Sequence, residues 1–82
     1  MIVYPALDYS FMRRTELVRK IQREARRQGV TWEPAGTSGP HECFWLGASK
    51  IPIPRHREIS ERTAEDILHE CQDQLGEGWW RQ

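Results

Sequence analysis

The sequence predicts a single small α+β domain of order α-β-β-β-α, a three-stranded antiparallel sheet with two helices on one face. Three observations predict it. Two segments carry apolar residues at spacings of three and four, three short runs between them are rich in β-branched and aromatic residues, and glycine or proline punctuates the junctions. Eighty-two residues leave room for one modest core, because a chain of this size buries about 60% of its extended surface on folding. A second domain is excluded.

The first helix is expected over Met12 to Gln28. Leu17, Val18, Ile21 and Ala25 form its apolar stripe, and Arg13, Arg14, Arg19, Lys20, Arg23, Arg26 and Arg27 fill much of the remainder. Gly29 follows, where a helix ends in left-handed backbone. Val30, Thr31 and Trp32 favour extended backbone, so a strand is expected from about Val30 to Pro34, ahead of a GTSGP loop. A second strand, His41 to Leu46, is joined by Gly47-Ala48-Ser49 to a third, Lys50 to Pro54, giving a hairpin. Pro52 and Pro54 alternate with Ile51 and Ile53. Proline donates no ladder hydrogen bond, so the third strand belongs at the sheet edge. Alternation leaves two inward sets open for the middle strand, His41-Cys43-Trp45 or Glu42-Phe44-Leu46.

Ser60 fits an N-cap with Glu61 in the first turn, and Ala64, Ile67, Leu68, Cys71 and Leu75 give the second helix its stripe before Gly76 ends it. The Trp79-Trp80 tail carries too much apolar area for a free coil and either packs back on the body or meets a partner.

Charge is balanced overall but unevenly placed. Met1 to Gln28 holds seven basic and three acidic residues, Gly29 to Arg57 three and two, and Glu58 to Gln82 two and seven. Such polarity permits one phosphate-facing surface and one repelling or partner-facing surface, as well as two simply solvated helix faces. No run approaches the roughly 20 apolar residues of a membrane span. The opening MIVYPALDYSF lacks the basic and apolar regions of a secretory signal, so a cytoplasmic protein with free thiols at Cys43 and Cys71 is expected.

The candidate chemistry lies between Gly39 and Ser60. His41 follows Gly39 and Pro40: glycine permits close approach of a ligand to the backbone, and proline stiffens the mount of an imidazole able to accept a proton near neutrality. The same histidine also serves as a polar group opening a strand. His56 stands between Arg55 and Arg57, a cluster suited to gripping phosphate and equally to connecting strand and helix. The pairs His41-x-Cys43 and His69-x-Cys71 do not make a zinc site, because residues two apart on a helix face different ways and both cysteines fit apolar positions. No nucleophilic-cysteine arrangement, phosphate loop or paired-carboxylate signature is present. No metal or cofactor is expected.

The basic opening MRRTELVRKI, the Gly39-x-His41 entry to a strand, and the segments IPIPRHREIS, TAEDIL and GEGWW together resemble the HicA-type toxins, messenger-RNA interferases of toxin–antitoxin pairs. The resemblance spans about Met12 to Trp80 and implies a fold like that of double-stranded-RNA-binding domains over residues 12–82. It leaves residues 1–11 as an N-terminal extension, either a disordered tail or the product of an upstream start codon. It implies metal-independent cleavage of messenger RNA with His41 essential, and a HicB-like antitoxin as partner; with His41 as general base, the candidate RNA contacts are Gly39, Lys50, Arg55, His56, Arg57, Arg13 and Arg14. Trp45, Trp79 and Trp80 are the candidates for that partner's interface. The family places serine or asparagine where this chain has Pro40, which removes a side-chain hydrogen bond and bears on the rate. Two other classes fit the same residues: a non-catalytic RNA-binding module gripping through Arg13, Arg14, Lys20 and Arg55, and an inactive toxin relative that only binds an antitoxin.

Overall fold

The computed structural model describes residues 11–81. The extension expected over residues 1–11 therefore lies outside the described residues, apart from Phe11. The elements in chain order are β1 (Phe11–Arg13), α1 (Arg14–Gln28), β2 (Trp32–Ser38), β3 (His41–Leu46), β4 (Ser49–Pro54), β5 (Glu58–Ser60), α2 (Glu61–Glu70), α3 (Gln72–Leu75) and a 3-10 turn at Trp79–Arg81. The chain is a small α+β domain with a three-stranded antiparallel sheet, and β1 and β5 add a separate two-stranded ribbon.

The first helix starts at Arg14, two residues later than the periodicity predicts. Met12 is instead extended and pairs with Ile59, which is buried at 2% exposure. Leu17, Ile21 and Ala25 are all but fully buried, and the Gly29 N–H closes the helix onto the carbonyls of Ala25 and Arg26. α2 begins as expected: the Ser60 hydroxyl accepts the Thr63 N–H at 3.2 Å. Its C-terminal half differs. The helix breaks at Cys71, whose N–H is shared between the Ile67 and Leu68 carbonyls at 3.2 Å each, and α3 resumes as one short turn.

In the larger sheet β3 is central and β2 and β4 are the edges, so Pro34, Pro52 and Pro54 all sit on edge strands. β2 runs on to Ser38, where the sequence predicts a loop. Thr37 pairs with Glu42 and Ser38 with His41, after an irregularity between Pro34 and Thr37 takes up the extra residues. Small polar residues read as loop in isolation, but here the hairpin partner supplies their ladder.

Register settles the inward set of β3. Phe44 faces Ile51, Glu42 faces Ile53, and Phe44 and Leu46 join Ile51, Ile53 and the stripes of α1 and α2 in one core. Both helices thus cover the same face of the sheet. Trp32 stacks on Phe44, ring centroids 4.5 Å apart, and closes the core at its β2 side. His41, Cys43 and Trp45 alternate to the opposite face. The tail packs back: Trp79 is 4% exposed and its indole N–H donates to the Leu68 carbonyl at 3.0 Å.

Candidate nucleic-acid interface

The pairing of Ser38 with His41 leaves only Gly39 and Pro40 in the turn between β2 and β3. Gly39 has φ 60, the positive value that the first central residue of a type II′ hairpin requires, and proline's fixed negative φ suits the second. Turn geometry alone therefore accounts for this dipeptide. His41 opens the central strand, held between Ser38 on one side and Pro54 on the other, and the Arg55 N–H extends the ladder to the Pro40 carbonyl at 3.1 Å. His41 is half-buried at the turn end of the sheet.

Beside this end lies an open groove of about 740 Å³ lined by Arg13, Arg14, Thr15, Arg55, Arg57 and Glu58. The ribbon builds it. β1 pairs antiparallel with β5, which sets Arg13 opposite Glu58, and the Arg14 N–H donates to the Arg57 carbonyl at 2.8 Å. The Arg14 side chain reaches across to the sheet, where Nε donates to the Pro54 carbonyl at 2.8 Å and a terminal nitrogen to Glu42 Oε1 at 2.5 Å. Pro54 is the cross-strand partner of His41 and Glu42 its chain neighbour. Four guanidinium groups against Glu58 and the partly engaged Glu42 make a cationic concavity whose chemistry suits phosphate oxygens.

Of the predicted RNA contacts, the structure brings Arg13, Arg14, Arg55 and Arg57 into this groove. Gly39 lies in the adjoining turn. His56 is exposed and borders a separate, smaller depression with Pro54, Ser60 and Thr63, so it does not share the arginine groove. Lys50 is at the far end of the hairpin. It pairs with Trp45, four residues along β3 from His41, roughly 13 Å at the ordinary rise of a strand, and its ammonium lies 5.8 Å from the Trp45 ring centroid.

The tryptophans divide. Trp45 is 42% exposed, Trp80 is half-buried against His69 and Trp79, and Trp79 is core rather than surface. His69 is exposed against Trp80 while Cys71 is fully buried, so the two do not converge on a common ligand position. Burial, reinforced by the Glu70 carboxylate, pushes the Cys71 thiol up to about 12. Cys43 is also buried, and both thiols are free.

Sequence reasoning missed Glu42 and Glu58, the acids that face the arginines. Glu42 is 28 residues from Arg14, and no local pattern signals so distant a pair. No helix among the described residues is long and apolar enough to cross a membrane. Compared with family models, with curated proteins and with solved structures, the chain matches none.

Proposed function

We propose that the chain is an RNA endonuclease of the kind that the HicA-type resemblance implies, a toxin whose groove holds a phosphate while His41 removes a proton. One observation carries the RNA reading: four arginines from β1, α1 and the β4–β5 connection gather in one groove although the chain as a whole has no net charge. Arg14, one of the four, bonds Pro54 and Glu42, the residues beside His41 on the sheet, although His41 itself does not line the groove. His41 takes the proton of a ribose 2′-hydroxyl, the 2′-oxygen attacks the adjacent phosphorus, and the P–O5′ bond breaks to leave a 2′,3′-cyclic phosphate and a 5′-hydroxyl. The arginines stabilise charge growing on the phosphoryl oxygens. His56 borders a different depression, so in this reading water protonates the leaving oxygen, and the His41 imidazolium gives its proton back to the hydroxide left behind. One positioned base contributes about 10² to 10⁴ in rate, which makes this a slow nuclease. The proposed partner is a HicB-like antitoxin lying over His41 and the open sheet face, where Trp45 is exposed.

A second reading, RNA binding without cleavage, is favoured by the turn itself: Gly39 and Pro40 fit a type II′ hairpin without any catalytic reason for either. Purified wild type and His41→Ala, incubated with a defined RNA in EDTA, separate the two. The nuclease reading expects cleavage to cyclic-phosphate ends by the wild type, falling at least a hundredfold in the variant. Equal RNA binding with no cleavage by either protein leaves the binding module.

A further inference from the structure

The outer face of α1 carries cations that the groove does not use. Arg19, Gln22, Arg23 and Arg26 line one shallow depression, and Met12, Glu16, Arg19, Lys20 and Arg23 line another that overlaps it. On the same helix two other arginines are paired, Arg14 with Glu42 and Arg27 with Glu24. Among the described residues, Arg19, Lys20, Arg23 and Arg26 enter no salt bridge. Arg19, Arg23 and Arg26 follow at spacings of four and three, so their side chains stand side by side on one exposed face and repel each other. Glu16 lines the same depression as Arg19, Lys20 and Arg23 and offsets part of that repulsion, but it leaves an excess of positive charge on this face.

We infer that this stripe is a second phosphate-binding surface, which continues from the arginine groove and carries the flanking backbone of the same RNA strand. The inference rests on the RNA reading above. Met12 lines the depression of Arg19 and Lys20, and its chain neighbour Arg13 lines the groove, so the two surfaces border each other at the start of α1, although Arg14 itself turns toward the sheet. Residues three and four apart on a helix sit about 5 to 6 Å apart at Cβ, comparable to the spacing of successive phosphates along a strand. The depression holding Arg19, Gln22, Arg23 and Arg26 has no aromatic side chain on which a base would stack, so the contact reads charge and not sequence. A lipid headgroup layer offers phosphate too, but a helix that lies on a membrane must insert its apolar face. Here Leu17, Ile21 and Ala25 are buried in the core and unable to do so.

The test uses a fluorescent 20-nucleotide 2′-O-methyl RNA, which lacks the attacking hydroxyl and so reports binding alone. Anisotropy titrations across a range of salt compare wild type, Arg19→Gln/Arg23→Gln/Arg26→Gln, Arg55→Gln/Arg57→Gln and the exposed control Arg62→Gln, with folding checked by circular dichroism. Three lost contacts at about 0.7 each flatten the slope of log K against log salt by about 2 in the stripe variant, with affinity at low salt falling tenfold or more. The control stays at wild type. An unchanged slope in the stripe variant, with binding lost in the groove variant, overturns the inference and spares the RNA reading. Wild type that fails to bind at low salt overturns both. Loss of binding to phosphatidylserine vesicles, with RNA binding intact, assigns the stripe to membranes and overturns it as well.

Discussion

Cys71 shows how a single side chain couples the core to pH. It occupies the break between α2 and α3 with no exposed surface, and burial holds its thiol at about 12 against 9.0 for the free group. Well below pH 9 the Cys71 thiol is protonated in folded and unfolded chains alike. Between about 9 and about 12 only the unfolded chain ionises, so stability falls as pH rises, by up to about 1.4 kcal/mol per pH unit. Cys71→Ala is less stable at neutral pH because it leaves a cavity, but its urea-unfolding curve loses less between pH 9 and 11. The difference between the two proteins therefore narrows across that window; parallel pH dependences would show that Cys71 ionises in the fold. The native thiol also stays unreactive to an aromatic disulfide reagent at pH 8 until the chain unfolds. Glu24 has the opposite sign. Its bonds from Arg27 and Gln28 hold it down to about 2, so its contribution is present at neutral pH and fades as pH falls from about 4.5 toward 2.

At the scale of elements, the two hairpin turns are a matched pair that substitutions can separate. Gly39-Pro40 and Gly47-Ala48 each leave two residues between paired strand ends, with φ values of 60 and 58 at the glycines. Alanine at either position meets left-handed backbone, which costs about 1 to 2 kcal/mol. A Cβ at Gly39 meets nothing within 4 Å, whereas one at Gly47 overlaps the Gln74 amide oxygen and crowds Val30 Cγ1 at 3.3 Å. Gln74 must then swing away from Ser49, to whose hydroxyl it donates at 3.3 Å. Gly47→Ala is thus the more destabilising of the two in thermal unfolding. Equal losses would mean that the Gln74 amide moves freely. If the wild type cleaves RNA as proposed and Gly39→Ala folds near wild type but does not, the glycine serves a bound ligand as well as the turn.

The elements also differ in how far the sequence reveals them. α1, α2 and the β3–β4 hairpin are readable because Leu17, Ile21 and Ala25, then Ala64, Ile67 and Leu68, repeat over enough residues to fix a period, and Pro52 and Pro54 mark an edge. β1 and β5 are three residues each, too short for any periodicity, and exist because Met12 and Ile59 meet across 47 positions of chain. The second half of β2 is hidden for a similar reason: Thr37 and Ser38 are extended by their partners Glu42 and His41, not by their own propensity. The arginines of the site were legible as residue types. Their gathering was not, since the β1–β5 ribbon brings them together.

At the scale of the whole molecule, Arg14 fastens the ribbon, the first helix and the sheet. Its backbone N–H holds Arg57, its Nε holds the Pro54 carbonyl, and its terminal nitrogen holds Glu42, so one residue reaches β3, β4 and the approach to β5. The ion pair is partly exposed, at 21% and 41% for the two side chains, so water screens it and a double-mutant cycle gives a coupling of about 0.5 to 1 kcal/mol, weaker at high salt. Arg14→Ala loses the Pro54 bond in addition and falls by about 1 to 2 kcal/mol in urea unfolding, more than Glu42→Gln. Binding separates two roles. Arg14 also lines the groove, so on the proposed RNA reading Glu42 and a phosphate would compete for one guanidinium. Glu42→Gln, which keeps the side chain's shape and removes its charge, therefore binds the 2′-O-methyl RNA several-fold more tightly than wild type, while Arg14→Ala binds less tightly. If Glu42→Gln instead weakens binding in step with its stability, Arg14 is a fastener alone, and any phosphate contact of the proposed groove falls to Arg13, Arg55 and Arg57.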